Sequence, residues 1–290
     1  MRTLFNSVSF IAALAGGAAI IACSAESDPV QSGTGGASTG AGGTTAGLGG
    51  SPPGVGGTTP GVGGTTPGVG GTTPGTGGAA PSDSCTPGAS ATEPLIDDLA
   101  DGDNAIAAPR QGWWYTFNDA ESGGGTVQVP APDPSGVTPF EPSPDGADFA
   151  AVTSGTLGSG VEYPFAGVGF ALNGSSAGPC TYNATGFTGI KFRARGTVNL
   201  RVKFPTPPTV PTAEGGTCTT DCYDDYGYVV TVTPDWAEHT VPFAMATQEG
   251  WGAAAGTSLD VTQLLQIQFQ TTGAVAGSAF EFAIDDVTFY

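Results

Sequence analysis

The stretch that most constrains the fold is 279–290, AFEFAIDDVTFY. Phe280, Phe282 and Ile284 alternate with Glu281 and Ala283, the period-two pattern of a half-buried strand. Past Asp285-Asp286 the apolar parity changes, because Val287 and Phe289 are odd-numbered. One extra residue at the acidic pair, a β-bulge, keeps both halves facing one core. An echo stands at 95–99, Leu-Ile-Asp-Asp-Leu. A folded region that opens with IDDL and closes with IDDV predicts terminal strands side by side, with their carboxylates near the seam.

Further strands are expected at 113–119, 126–129, 149–152, 161–172, 187–195, 198–204, 228–233, 237–243 and 264–271. Gly, Pro, Asn and Asp cluster between them, and no stretch sustains a helical period. Many short strands at this spacing predict an all-β domain, a sandwich or barrel, over 85–290. Of the 26 acids in the chain only Glu26, Asp28 and Asp83 lie outside this region, against six of the seven bases within it. Such an acidic surface makes nucleic acid and anionic lipid poor partners.

The N-terminus predicts an address. Arg2 is followed by an apolar run over 4–21 that ends in Ile-Ala-Cys, the form of a secretory signal. The segment 1–22 with Cys23 resembles the signal and lipobox of bacterial lipoproteins. That resemblance implies acylation of Cys23 and, with Ser24 rather than Asp next, an outer-membrane or cell-surface location. A plain transmembrane anchor is the alternative, and at about 18 residues the run is barely long enough to span. Residues 23–84 then form a linker built on seven copies of a G-x-G-G-T-T-P-like unit, three of them identical. Gly, Thr and Pro cannot bury enough apolar surface to offset the entropy of ordering, which predicts disorder. Some sixty such residues reach ~200 Å when fully extended and ~45 Å as a coil.

Setting Cys23 aside leaves Cys85, Cys180, Cys218 and Cys222. In an oxidising compartment an even remainder predicts two disulfides, with three connectivities open. Three residues separate Cys218 from Cys222, which suits a local staple and would leave Cys85 with Cys180. Zinc is the rival use of four cysteines, weakened by the lack of a second closely spaced pair.

LIDDLADGD, GWWYTFND, FTGIKFRARG, QEGWG, LLQIQFQ and FAIDDVTFY together resemble the galactose-binding-domain-like jelly rolls. They are nearest to family-eleven carbohydrate-binding modules and the related complex I intermediate-associated proteins. The resemblance implies a jelly-roll β-sandwich, sugar binding on a concave sheet or rim loops, and a structural calcium ion. Calcium needs six to eight oxygens, and Asp97, Asp98, Asp285 and Asp286 are the candidate ligands. The segment around Cys218–Cys222 and the Pro-rich 130–144 are foreign to the family pattern.

Five bases fall within 191–203. If Gly196-Thr197 turns a hairpin, Lys191, Arg193, Arg195, Arg201 and Lys203 share one face. Gln266, Gln268 and Gln270 alternate in the same way. Such a face is rich in donors for sugar hydroxyls or uronate carboxylates, and the plainer reading is a solvated face neutralised by neighbouring acids. In 113–117 the odd residues are expected in the core and Trp114 opposite them. Trp251, between two glycines, and Tyr223 and Tyr226 are candidate aromatic platforms. The lone His239 falls on the core parity of its strand. Gly174–Gly178 matches the nucleophile-elbow pattern G-x-S-x-G but lacks a following helix. The sequence therefore favours a lipid-anchored, non-catalytic carbohydrate-binding-like module for a polysaccharide or surface glycan. The alternatives are a structural or adhesive lipoprotein or, more remotely, a polysaccharide hydrolase or lyase.

Overall fold

The computed structural model describes residues 84–133, 140–146 and 148–290. The signal segment 1–22, the lipid-attachment residue Cys23 and the linker through residue 83 lie outside them. In chain order the strands are β1 (Leu95–Asp97), β2 (Trp114–Asn118), β3 (Val127–Val129), β4 (Ser143–Asp145), β5 (Asp148–Thr156), β6 (Ala166–Ala171) and β7 (Gly174–Ser175). There follow β8 (Gly178–Pro179), β9 (Gly189–Gly196), β10 (Asn199–Phe204), β11 (Tyr226–Val230), β12 (Ala237–Pro242), β13 (Gln266–Thr272) and β14 (Ala279–Phe289). Among the described residues there is no α-helix, only short 3-10 turns.

Two antiparallel sheets make a jelly-roll β-sandwich. One runs β12-β9-β14-β5-β3, with β1 added to β14 and β4 to β5; the other runs β11-β10-β13-β6-β2. The terminal strands do pair, Leu95 opposite Thr288 and Asp97 opposite Val287. The expected bulge is present as well: the β14–β9 register slips between Asp285 and Thr288, and Asp286 adopts φ 51°. Phe280, Phe282, Ile284, Val287 and Phe289 are consequently all buried.

The core lies between the sheets. Trp114 packs edge-on to Phe170 at 4.7 Å, and Phe192 of one sheet meets Phe269 of the other at 4.9 Å. Burying each such ring stabilises the fold by roughly 1.5–3 kcal/mol. Disulfides join Cys85 to Cys180 and Cys218 to Cys222. All four thiols are thereby occupied, which removes the zinc reading.

The hairpin expected at 196–197 fails: β9 pairs with β12 and β14, whereas β10 pairs with β11 and β13 in the opposite sheet. The Gly196 and Thr197 N–H groups donate to Thr233 O at 2.8 Å and Glu281 O at 2.9 Å. Those long-range acceptors take the bonds that a hairpin would have kept local, and the chain crosses between layers.

Candidate functional site

The crossover divides the five bases. Lys191, Arg193 and Arg195 lie on the outer face of the β12-β9-β14-β5-β3 sheet, and Arg201 and Lys203 on the outer face of the other. On the first face Arg193 pairs with Asp286 at 3.4 Å and Arg195 with Glu281 at 3.1 Å. Both guanidiniums also stack on Trp236, at 5.2 and 5.5 Å from the ring centroid. These arginines are neutralised by neighbouring acids, the plainer of the two readings, and Lys191 sits over the Tyr290 ring at 5.5 Å.

The outer face of the five-stranded sheet is built differently, and its register defines it. One row runs Val229, Arg201, Gln270, Gly167, Phe117; the next runs Gly227, Lys203, Gln268, Gly169, Tyr115. Gln266 continues the glutamine series along β13, opposite Ala171. Odd residues of β2 therefore face outward, and Trp114 and Thr116 face the core, the reverse of the parity expected from sequence. The reason is what lies across the pairing. Trp114 meets Phe170 and donates its Nε1–H to Asp97 at 2.7 Å, while Phe117 and Tyr115 meet glycines. A Cβ on Gly167 would stand 2.3 Å from Phe117 Cζ, so the Phe117 ring lies directly on the glycine backbone.

A hydrogen-bonded amide floor follows. The Tyr115 hydroxyl donates to Gln266 Oε1, and Gln268 Nε2 donates to Tyr115 Oη at 2.9 Å and to Gln266 Oε1 at 2.9 Å. Gln268 and Gln270 are half-buried. The two bases are more enclosed. Lys203 Nζ meets Asp225 Oδ2 at 2.8 Å and donates to Gln270 Oε1 at 3.3 Å. Arg201 donates to Asp225 O at 3.2 Å and Thr247 O at 2.6 Å and pairs with Glu249 at 3.7 Å. Both are fully engaged within the protein. Burial raises the Tyr115 pKa, and burial together with Glu214 raises that of Tyr223, so both hydroxyls keep their protons.

Two loops flank this face. The 205–225 loop carries the Cys218–Cys222 disulfide and Tyr223, whose ring is 46% exposed and whose hydroxyl donates to Glu214 at 2.7 Å. The 246–255 loop carries Trp251, 59% exposed, with Nε1–H donating to Glu249 at 3.2 Å. Since Glu249 also meets Arg201, Trp251 stands at the Arg201 end of the floor. Tyr226, by contrast, is buried.

The four carboxylates expected to bind calcium each have partners within the protein. Asp97 accepts from Trp114 and from the Leu99 N–H at 3.0 Å, and Asp98 accepts from the Ala100 N–H at 3.3 Å. Asp285 and Asp286 both face Arg193, at 3.9 and 3.4 Å. Among the described residues no group of three or more His, Cys, Asp or Glu side chains is arranged to hold a metal ion. His239 stacks on Phe192 at 5.4 Å, and burial lowers its pKa. Gly174–Gly178 is the β7–β8 hairpin, so Ser176, the serine at the centre of that pattern, sits exposed in a turn between two strands and no helix follows it.

Of the residues grouped from sequence, Arg201, Lys203, Gln266 and Gln268 share one outer face with Trp251 on a flanking loop, and Lys191, Arg193 and Arg195 lie on the other sheet. Sequence reasoning missed Tyr115 and Phe117 as outward residues, and Asp224 and Asp225 beneath the loops. The signal available for the first pair was the alternation Gly167-Val168-Gly169-Phe170, which leaves the outer side of β6 bare.

No protein-family model matches the sequence, and no curated protein does. Among solved structures the chain is similar to the family 11 carbohydrate-binding module of the cellulosomal cellulase Lic26A-Cel5E of Clostridium thermocellum. The TM-score is 0.41 at 13% identity, covering 68% of this chain and 93% of that one. It is also similar to the family 30 module of cellulosomal cellulase Cel9D-Cel44B of Clostridium thermocellum, with TM-score 0.33, 14% identity and coverage of 51% and 78%. A family 29 module complexed with mannohexaose gives TM-score 0.33 at 8% identity, covering 68% and 89%. At these values the similarity says nothing about ligand.

Proposed function

We propose that 85–290 is a non-catalytic carbohydrate-binding-like module, displayed at a bacterial outer membrane or cell surface by a lipid on Cys23. The observation that carries the binding reading is two exposed aromatic rings, Tyr223 and Trp251, tied by hydrogen bonds beside a floor of amides and hydroxyls. Apolar ring faces suit sugar C–H faces, and amides both donate to and accept from hydroxyls. Arg201 and Lys203 already have internal partners, and Glu214 and Glu249 stand at the rim. The site therefore favours a neutral polysaccharide over a polyuronate, which would meet those carboxylates. Affinity should be modest and nearly independent of salt, because no free charge contact is screened.

Affinity electrophoresis of the whole protein through gels holding a mixed-linkage β-1,3-1,4-glucan, a mannan or a polyuronate tests this. Retardation by a neutral glycan, weakened about tenfold in Trp251→Ala and kept in Arg193→Ala, is expected. Passage through all three gels without retardation would favour a structural or adhesive role. Liberation of reducing ends from a retained glycan would reveal an enzyme. Metabolic palmitate labelling that persists in Cys23→Ala would refute the anchor.

A further inference from the structure

Between Ala246 and Ala255, which meet the core, the loop that presents Trp251 has little apolar packing of its own. Its sequence, Gln-Glu-Gly-Trp-Gly-Ala-Ala-Ala over 248–255, holds two glycines and three alanines, and Glu249, Gly250, Trp251 and Ala254 are exposed. Left to itself such a segment samples many conformations. It is held instead from beneath by one buried carboxylate. Asp224, 3% exposed, accepts from the N–H groups of Glu249 at 2.8 Å, Gly250 at 2.7 Å and Gly252 at 3.1 Å. Three N–H groups converging on a carboxylate make strong, charge-assisted bonds. They bracket Trp251 on both sides.

A second brace surrounds the first. Gln248 Nε2 donates to Asp224 O at 2.7 Å and Ala253 O at 2.9 Å, and Gln248 Oε1 accepts from Ala255 N at 2.9 Å. The Ala253 N–H donates to Asp221 O at 2.8 Å. The fit is close: a Cβ on Gly252 would lie 2.5 Å from Asp224 Cβ.

We propose that Asp224 is a positioning residue for glycan binding, fixing 249–252 so that Trp251 stands as a preformed stacking platform. This rests on the reading that Trp251 touches the glycan. Its benefit is entropic: ordering a loop on binding costs affinity, and a loop ordered beforehand avoids that cost. Asp224 need not approach the sugar.

The test uses the full-length protein labelled with 5-fluorotryptophan at its four tryptophans, with the Trp251 19F line assigned through Trp251→Phe. In Asp224→Asn the Trp251 line should shift and broaden while the other three stay in place. Retardation by the mixed-linkage β-1,3-1,4-glucan should weaken about tenfold, the scale of losing one aromatic anchor. In a Trp251→Ala background Asp224→Asn should change retardation less than about twofold, because one contact is being lost by two routes. If Asp224→Asn does not fold, Gln248→Ala weakens the same brace and should move the same line. An unmoved, sharp Trp251 line in the variant that folds overturns the proposal, as does a multiplicative loss in the double variant. If instead Trp251→Ala leaves retardation intact, the face assigned to the glycan is wrong, and the fluorine spectrum still decides whether Asp224 sets the loop.

Discussion

Replacing Asp97 with Asn should change how the protein's stability depends on pH. Asp97 sits on β1 against β14, 3% exposed, with its carboxylate held by the Trp114 and Leu99 N–H groups. Burial lifts its pKa from 3.8 to about 7; the charges of Asp101 and Asp98 add to the rise, and the two N–H donors oppose it. Between those values the native state keeps a proton that the unfolded chain releases. Unfolding is then favoured as pH rises, so the stability contributed by the protonated group is complete below about pH 4 and lost through about pH 7. At ~1.36 kcal/mol per pKa unit the loss is on the order of 4 kcal/mol, or roughly 10 °C in Tm for a domain of about 200 residues. Asp285, raised to about 6 mainly by burial, acts in the same direction. Urea unfolding of both proteins from about pH 4.5 to about pH 8.5 measures this. All other acids are shared, so the difference between the two curves isolates residue 97. Wild type should lose several kcal/mol relative to Asp97→Asn across that range. Parallel curves would refute the reasoning, because they would mean that the two N–H donors keep Asp97 ionised in the folded state despite its burial.

The crossover makes a second expectation sharp. Arg201→Ala removes the enclosed guanidinium bonds to Asp225 O and Thr247 O and should cost about 2 kcal/mol in urea unfolding, whereas Arg193→Ala, at a side chain 43% exposed, should cost less than about 1 kcal/mol. Equal costs would mean that the two arginines are not on differently enclosed faces. Calcium gives a third. With Asp97 bonded to Trp114 and Asp285 and Asp286 facing Arg193, a chelator should leave Tm unchanged; a Tm that climbs with added calcium would overturn this.

Much of the architecture was legible because it is written locally. The parity break at Asp285-Asp286 encodes a bulge whatever the partner strand, and two IDD words at the ends of the domain encode the β1–β14 pair. The short Cys218–Cys222 spacing likewise left one partner for each remaining cysteine. The hairpin at Gly196-Thr197 failed because a Gly-Thr link serves a turn or a crossover equally well, and the choice belongs to acceptors some 40 and 80 residues away, Thr233 O and Glu281 O. The orientation of β2 failed for a related reason. Trp-Trp-Tyr-Thr-Phe is bulky on both sides, so its period has no sign until Gly167, Gly169 and Phe170 are placed across from it. Asp224 was illegible outright: an acid in an acidic loop looks solvated until the N–H groups of 249–252 are folded over it.

The Cys85–Cys180 disulfide has a mechanical consequence. Any pull reaching the domain from the N-terminal side passes through Cys85 before it reaches β1, whose short ladder with β14 could otherwise be peeled open one hydrogen bond at a time. The covalent link carries the load instead to Cys180, whose N–H is bonded to Asn173 O at 2.8 Å. Asn173 Nδ2 also donates to Thr86 O at 2.8 Å and Thr181 O at 2.9 Å, spreading tension over two further attachment points. The β1–β14 seam is left slack under a pull from that side.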